Sequence, residues 1–430
     1  MKIQILKWTG IGLLLRLILM PVTMHGQDLF FINYFPMMFV KKGIWDPYGF
    51  IRTNFSYFPA TYYGPVLFII MSTVNFIFIK LFNMTSLVKI LEISGAMMGK
   101  NLMTIDYVAA FRNLGLFKNL FLMKTPYLIF DFLIGIILLR SALRQRLALT
   151  SYKLWMLNIV VLHSAYAVGQ ADLITTFFII AALYTALEKR PYLTVILLGL
   201  GGATKPFPYI LIFPACLLLG QDWKTKFNLF LTGVLVSVLP YLPFYLSSGS
   251  AIFNFFTAPG QILYTGIVKW IFLSLFVLLY SFIVINAVRD SQTTNPERRL
   301  IYYFITILFL TYATVAVRIR YLSYITPLLA LIIPQHKKFG IFTLLILLIY
   351  AFWGLSEKDL QLGLFAPLDP AYFLNLPTIQ EIIARGVNIE LIYKIICRVS
   401  LLTFLAAGFW VWRIKLNDEK EMLKVKKIGN

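Results

Sequence analysis

Ionisable and amide side chains recur at the ends and breaks of apolar segments in this 430-residue chain. Asp28 follows the first apolar run, with His25 three residues before it. Lys124 opens a later run, and Asp131 lies inside it, two turns on and on the same face if the run is helical. Gln170 and Asp172 sit at a break that begins with Gly169. Lys205-Pro206 marks a second break, and Arg318, Arg320 and Tyr321 a third. A carboxylate at a water–lipid boundary can take a proton from a hydroxyl group. Arg grips an anion such as phosphate with a planar fork, whereas Lys acts as a point charge. Each ionisable residue inside an apolar span costs about 2.5–3.5 kcal/mol on insertion scales, so it calls for a partner or a ligand.

Every one of these residues also has a structural reading. Asp28 suits a helix N-cap, and Lys124 an anchor that snorkels to the membrane edge. Asp131 suits a partner for a buried Arg or Lys, and Gln170 with Asp172 a polar cluster at a helix break. Arg318 and Arg320 suit loop cations. The aromatic wealth of 38 Phe, 24 Tyr and 8 Trp fits interfacial belts. The functional signal is the joint placement, not any one residue.

The elements that must position them are transmembrane helices. Hydrophobic residues make up 60% of the chain and charged ones only 13%, at a mean hydropathy of +0.80; soluble proteins are nearer a quarter charged. Apolar runs at 6–24, 65–83, 125–143, 227–246, 267–288 and 391–412 have spanning length. Shorter runs pair around breaks, 152–168 with 172–187 and 192–204 with 206–219. The expected fold is all-α and polytopic, one integral-membrane unit over residues 1–430 with about 12 spans. The first run follows Lys2 and Lys7, carries Arg16 and ends without a small-residue cleavage site, so it reads as a retained span. Residues 28–40 read as an interfacial helix along the membrane surface, stopped at Lys41-Lys42-Gly43. Cys216 and Cys397 lie in apolar stretches, with neither disulfide framework nor zinc spacing.

The net charge of +21 sits mostly in short loops, which is a positive-inside pattern and argues against nucleic-acid binding. Residues 140–153, Lys189 and Arg190, Lys224 and Lys226, Arg289 with Arg298 and Arg299, Lys337 and Lys338, and the tail from Arg413 read as cytoplasmic. Residues 25–64, 169–172, Lys205, 247–266, 318–321 and 354–390 then fall outside. By parity 65–83 does not simply cross unless 84–124 hides another crossing; that charged stretch makes a poor span, so 65–83 reads as re-entrant or half-buried, broken near Ser72, Thr73 and Asn75.

The order of these features resembles the polytopic glycosyltransferases of the GT-C fold, especially the polyprenyl-phosphate-mannose-dependent mannosyltransferases of glycosyltransferase family 87 or PIG-M-like type. Asp28 resembles that group's acid just after span one. Gly43-Ile44-Trp45-Asp46-Pro47-Tyr48 is similar to its Gly-x-x-Pro-Tyr element, and Tyr62-Tyr63-Gly64-Pro65 to its Tyr/Pro approach to the next run. Lys124 to Asp131, Gly169 to Asp172, Lys205-Pro206, and Arg318-Ile319-Arg320-Tyr321 with Pro327 resemble its later elements. Members with paired acids in the first loop carry a second acid where this chain has Gly26, so no metal is expected, nor any other cofactor. Asp46, beside Pro47, reads as turn chemistry.

The resemblance implies an inverting transfer of a sugar, mannose foremost, from a polyprenyl-phosphate donor to a glycan or glycolipid acceptor. Asp28 is then the general base. Lys124, Lys205, Arg318 and Arg320 are candidates for the departing phosphate; His25, Asp131, Gln170, Asp172 and Tyr321 complete the expected binding set. The expected location is a cell membrane, bacterial or archaeal rather than endoplasmic reticulum. A transporter or flippase for a lipid-linked sugar is the alternative, since broken helices with midplane charges serve transporters too; a sugar-polymer ligase is a third reading.

Overall fold

The computed structural model describes residues 1–54, 63–97, 104–141, 147–249, 266–293, 295–314, 319–353 and 360–428. All regular elements among them are helical. In chain order α1 spans Lys2–Val22, α2 Gly26–Lys42, α3 Pro47–Asn54, α4 Pro65–Phe76, α5 Thr85–Met97, α6 Thr104–Phe111 and α7 Leu116–Ser141. Next come α8 Ala148–Met156, α9 Ile159–Val161, α10 Asp172–Leu187, α11 Pro191–Gly202, α12 Tyr209–Leu219, α13 Trp223–Val238 and α14 Leu242–Ser248. The last third contributes α15 Gly266–Asp290, α16 Pro296–Thr314, α17 Thr326–Ile332, α18 Gly340–Trp353, α19 Pro370–Phe373, α20 Ile379–Ala384 and α21 Ile389–Ile428. π-helical turns at Ile77–Leu81 and Leu162–Val168 continue α4 and α9.

Five helical stretches among the described residues are long and apolar enough to cross a membrane: Lys2–Val22, Leu116–Ser141, Trp223–Ser248, Trp270–Asp290 and Glu390–Leu416. Shorter apolar helices fall below spanning length. The 16 residues of α10 rise only about 24 Å, against a hydrocarbon core of about 30 Å. Such pieces pair around breaks, and non-helical backbone at that depth is tolerable only where protein covers it. At the centre α16 is buried from Leu300 to Thr314, packed on α10, α12, α15 and α21. Outside the spans, Asp222 caps α13 by accepting from the Thr225 backbone N–H at 2.8 Å, and that bond lowers its carboxyl below the usual range.

Two local expectations change. First, the stretch after Pro65 does not break at Ser72, Thr73 and Asn75. Thr73 Oγ1 donates to Ile69 O and Asn75 Nδ2 to Met71 O, so these polar side chains are spent on their own helix. The helical run continues to Leu81. Second, α7 starts at Leu116, after the left-handed Gly115, so Lys124 lies inside the helix instead of opening it. The middle of α2 is covered by protein. Residues Leu29 to Met38 are all buried, because their aromatics are spread round the helix and α4, α5 and α6 cover them. Its expected stop is present: Gly43, at φ 67°, closes α2 with its N–H on Met38 O and Phe39 O.

Candidate active site

The site is built where broken helices meet. The π-helical turn Leu162–Val168 ends at Gly169, φ 91°, after which α10 starts at Asp172. The left-handed backbone favours glycine there, and a Cβ would also press on the Leu29 side chain, 2.9 Å from its Cδ1. A second break, between α11 and α12, carries Lys205. The first loop docks on it through Gly64 N to Thr204 O (2.8 Å) and Val66 N to Ala203 O (3.1 Å). A Cβ on Gly64 would sit 2.1 Å from Ala203 O, so no larger residue permits that approach.

Asp28 lies in the first turn of α2, where the helix N-terminus favours negative charge. It is not the N-cap; His25 is. Gln170 Nε2 donates to Asp28 Oδ2 at 2.9 Å, and His25 Nδ1 lies 3.4 Å from the same oxygen. The Asp28 side chain keeps 25% exposure, in contrast to Gln170 and Asp172, which are buried.

Asp172 forms a buried ion pair with Lys205, and its Oδ1 also accepts from Tyr324 Oη at 2.8 Å. The Lys205 ammonium sits between two aromatic faces, 4.5 Å from the Tyr321 ring centre and 4.8 Å from that of Tyr63. Tyr321 stacks on Tyr324 at 5.8 Å with an 8° interplanar angle, and Phe207 packs on both. Tyr127 bridges the two halves of the site. Its hydroxyl donates to Gly169 O at 2.9 Å. Chemically, this is one partly exposed carboxylate beside one neutralised carboxylate–ammonium pair.

Two residues expected at this site are engaged elsewhere. Lys124 Nζ donates to Thr23 O (2.5 Å), Thr23 Oγ1 (3.1 Å), Tyr166 O (2.8 Å) and Ala167 O (3.4 Å). It ties the end of α1 to the last π-helical carbonyls. Asp131 is saturated by Arg16 Nε (2.5 Å), Arg16 Nη2 (3.3 Å), Trp155 Nε1 (2.7 Å) and Tyr166 Oη (2.6 Å). Every one of these partners belongs to the protein. Arg318 and the side chain of Arg320 lie outside the described residues. Asp46 takes the Tyr48 and Gly49 N–H groups at 3.1 Å each, with the Ser248 hydroxyl on its other oxygen, which is turn chemistry.

Sequence reasoning did not single out Tyr324, Tyr127 or Tyr63 as site residues. For Tyr324 a signal exists: it falls three residues after Tyr321 on the 3₁₀ turn Ile319–Tyr324, where i and i+3 eclipse. Tyr127 likewise falls three residues after Lys124 on α7.

The profile of Glycosyltransferase family 87 matches residues 127–332, a little under half of the chain. That stretch contains the Gln170, Asp172, Lys205 and Tyr321 positions and begins after Asp28 and Lys124. No curated protein and no solved structure matches the chain. The match supports a GT-C-type glycosyltransferase, and the spanning helices support a multi-pass membrane protein.

Proposed function

We propose that the chain transfers a sugar, mannose foremost, from a polyprenyl-phosphate donor to a hydroxyl of a glycan or glycolipid acceptor at the external membrane face. The observation that carries the reading is Asp28: a quarter-exposed carboxylate, oriented by Gln170, beside the Asp172–Lys205 pair. Asp28 takes the acceptor O–H proton as that oxygen bonds the anomeric carbon. The bond from that carbon to the phosphate oxygen breaks with its electron pair going to the phosphate. Attack opposite the leaving group inverts the anomeric centre. The phosphate is already a good leaving group, so the reaction needs a base and cations rather than a strong acid. Lys205, Arg318 and Arg320 are the proposed cations for the phosphate. The all-protein coordination of Lys124 and Asp131 favours a positioning role for both.

Purified protein in detergent, given radiolabelled polyprenyl-phosphate mannose and a glycolipid acceptor, is expected to transfer label. A transporter or flippase has no gradient or leaflet to act on there and gives none. Asp28→Asn keeps the shape but cannot take the proton, and turnover should fall by about 10²–10⁴-fold while donor binding persists. Wild-type turnover in a folded Asp28→Asn protein would overturn the assignment of the base.

A further inference from the structure

Two buried acceptor oxygens stand out in the site. Gln170 Oε1 and Asp172 Oδ2 are buried and have no hydrogen-bond partner among the described residues. Their residues are only 2% and 1% exposed. Both atoms accept and cannot donate, given that the Gln170 amide nitrogen is committed to Asp28. Leaving such acceptors without donors is costly, and buried polar networks are otherwise completed. The two lie two residues apart on one break, beside the proposed base. We propose that Gln170 Oε1 and Asp172 Oδ2 accept hydrogen bonds from hydroxyl groups of the transferred sugar and so determine which sugar the enzyme uses.

This rests on the proposed transfer reaction and adds its specificity determinant. Other donors fit the pair less well. A divalent cation seeks several oxygen ligands rich in charge. Here one oxygen is a neutral amide, the other belongs to a carboxylate already neutralised by Lys205, and the described residues hold no group of three metal-ligating side chains. A sugar presents a ring of hydroxyl donors, which is the chemistry two fixed acceptors select. A site built to bond a hydroxyl rejects an analogue lacking it more sharply than an apolar pocket rejects size.

The test compares wild type, Gln170→Met and Asp172→Asn with polyprenyl-phosphate mannose, glucose and galactose, and with each monodeoxy form of whichever sugar is transferred. Wild type should prefer the parent over at least one monodeoxy donor by about 10–100-fold. In Gln170→Met that preference should collapse for one hydroxyl position and persist at the others. Loss of the Asp28 contact slows every donor alike, so it leaves the ratios between donors unchanged. Asp172→Asn should erase the preference at a different position; if it does not fold, Gln170→Met decides alone. Unchanged ratios in the folded variants would overturn the assignment while leaving the transfer reaction intact. A flat deoxy panel with chelator-sensitive transfer would give the pair to a cation instead. If wild type transfers none of the sugars, the proposed function falls and takes this inference with it.

Discussion

Arg16 and Asp131 show how a charge expected to do chemistry can be consumed by architecture. The pair is buried, at 0% and 1% side-chain exposure, and the two remaining donors on Asp131 come from Trp155 and Tyr166. Removing one partner strands the other charge away from water, which costs about 3–5 kcal/mol. Asp131→Asn should therefore lower thermal stability in detergent steeply. An Arg16→Met/Asp131→Leu double variant should recover part of the loss, but not all, because Tyr166 Oη then loses its carboxylate acceptor and Trp155 Nε1 keeps only the longer bond to the Asp131 backbone carbonyl at 3.2 Å. Asp28→Asn should leave the unfolding temperature close to wild type, since its carboxylate is partly solvated. Measuring unfolding and turnover on the same preparations separates the two carboxylates. An Asp131→Asn protein as stable as wild type but unable to bind donor would return Asp131 to the substrate. The pairing was not legible in the sequence, although both residues were conspicuous there. Which carboxylate meets which cation depends on the approach of α1 to α7, residues 115 positions apart in the chain.

At the scale of elements, Lys124 acts as a clamp. The π-helical turn before Gly169 leaves carbonyls that no helical N–H reaches, and Lys124 collects two of them together with Thr23 O. π-Helical turns recur at functional sites, and this one delivers Gln170 to Asp28. Lys124→Met should thus cost about 1–3 kcal/mol for the stranded carbonyls and slow transfer for every donor alike. Unfolding of the variant in detergent, read beside its donor affinity, checks this. Weakened donor binding at unchanged stability would favour a phosphate contact instead. The breaks at Gly169 and Lys205-Pro206 were legible, because they interrupt apolar runs, and Gly64-Pro65 was legible as the opening of one. The start of α7 was not: Thr125-Pro126 looks like a helix opening, yet Leu116 to Met123 are apolar enough to extend the helix upstream. The continuity of α4 was hidden likewise, because Thr73 and Asn75 read as breakers but bond back to their own turn.

Across the whole molecule, the contacts sort the loops into two groups, and the sorting agrees with charge parity. Gln170 meets Asp28, Gly64 meets Thr204, Lys205 meets Tyr321, Met24 N–H meets Leu364 O, and Ser248 meets Asp46. All these positions belong to, or directly adjoin, segments that the basic-loop pattern puts outside. Asp290 meets Arg299 at 2.7 Å and Lys415 at 2.5 Å, and Lys226 meets Ser291 at 3.2 Å, joining segments that the pattern puts inside. Two independent criteria, charge asymmetry and tertiary contact, thus divide these loops the same way, although neither fixes which face meets the cytoplasm without the positive-inside rule. Single-cysteine labelling decides that step. With Cys216 and Cys397 changed to Ser, Arg52→Cys and Tyr372→Cys probe one group, and Lys189→Cys the other; all three positions are exposed. An impermeant maleimide added to intact cells should label positions 52 and 372 at once, and position 189 only after permeabilisation. The reverse pattern would put Asp28 on the cytoplasmic face and require a donor presented from that side. Labelling of 52 but not 372 would separate the first loop from the 360–390 region, and with it the shared face on which the Asp28 site depends.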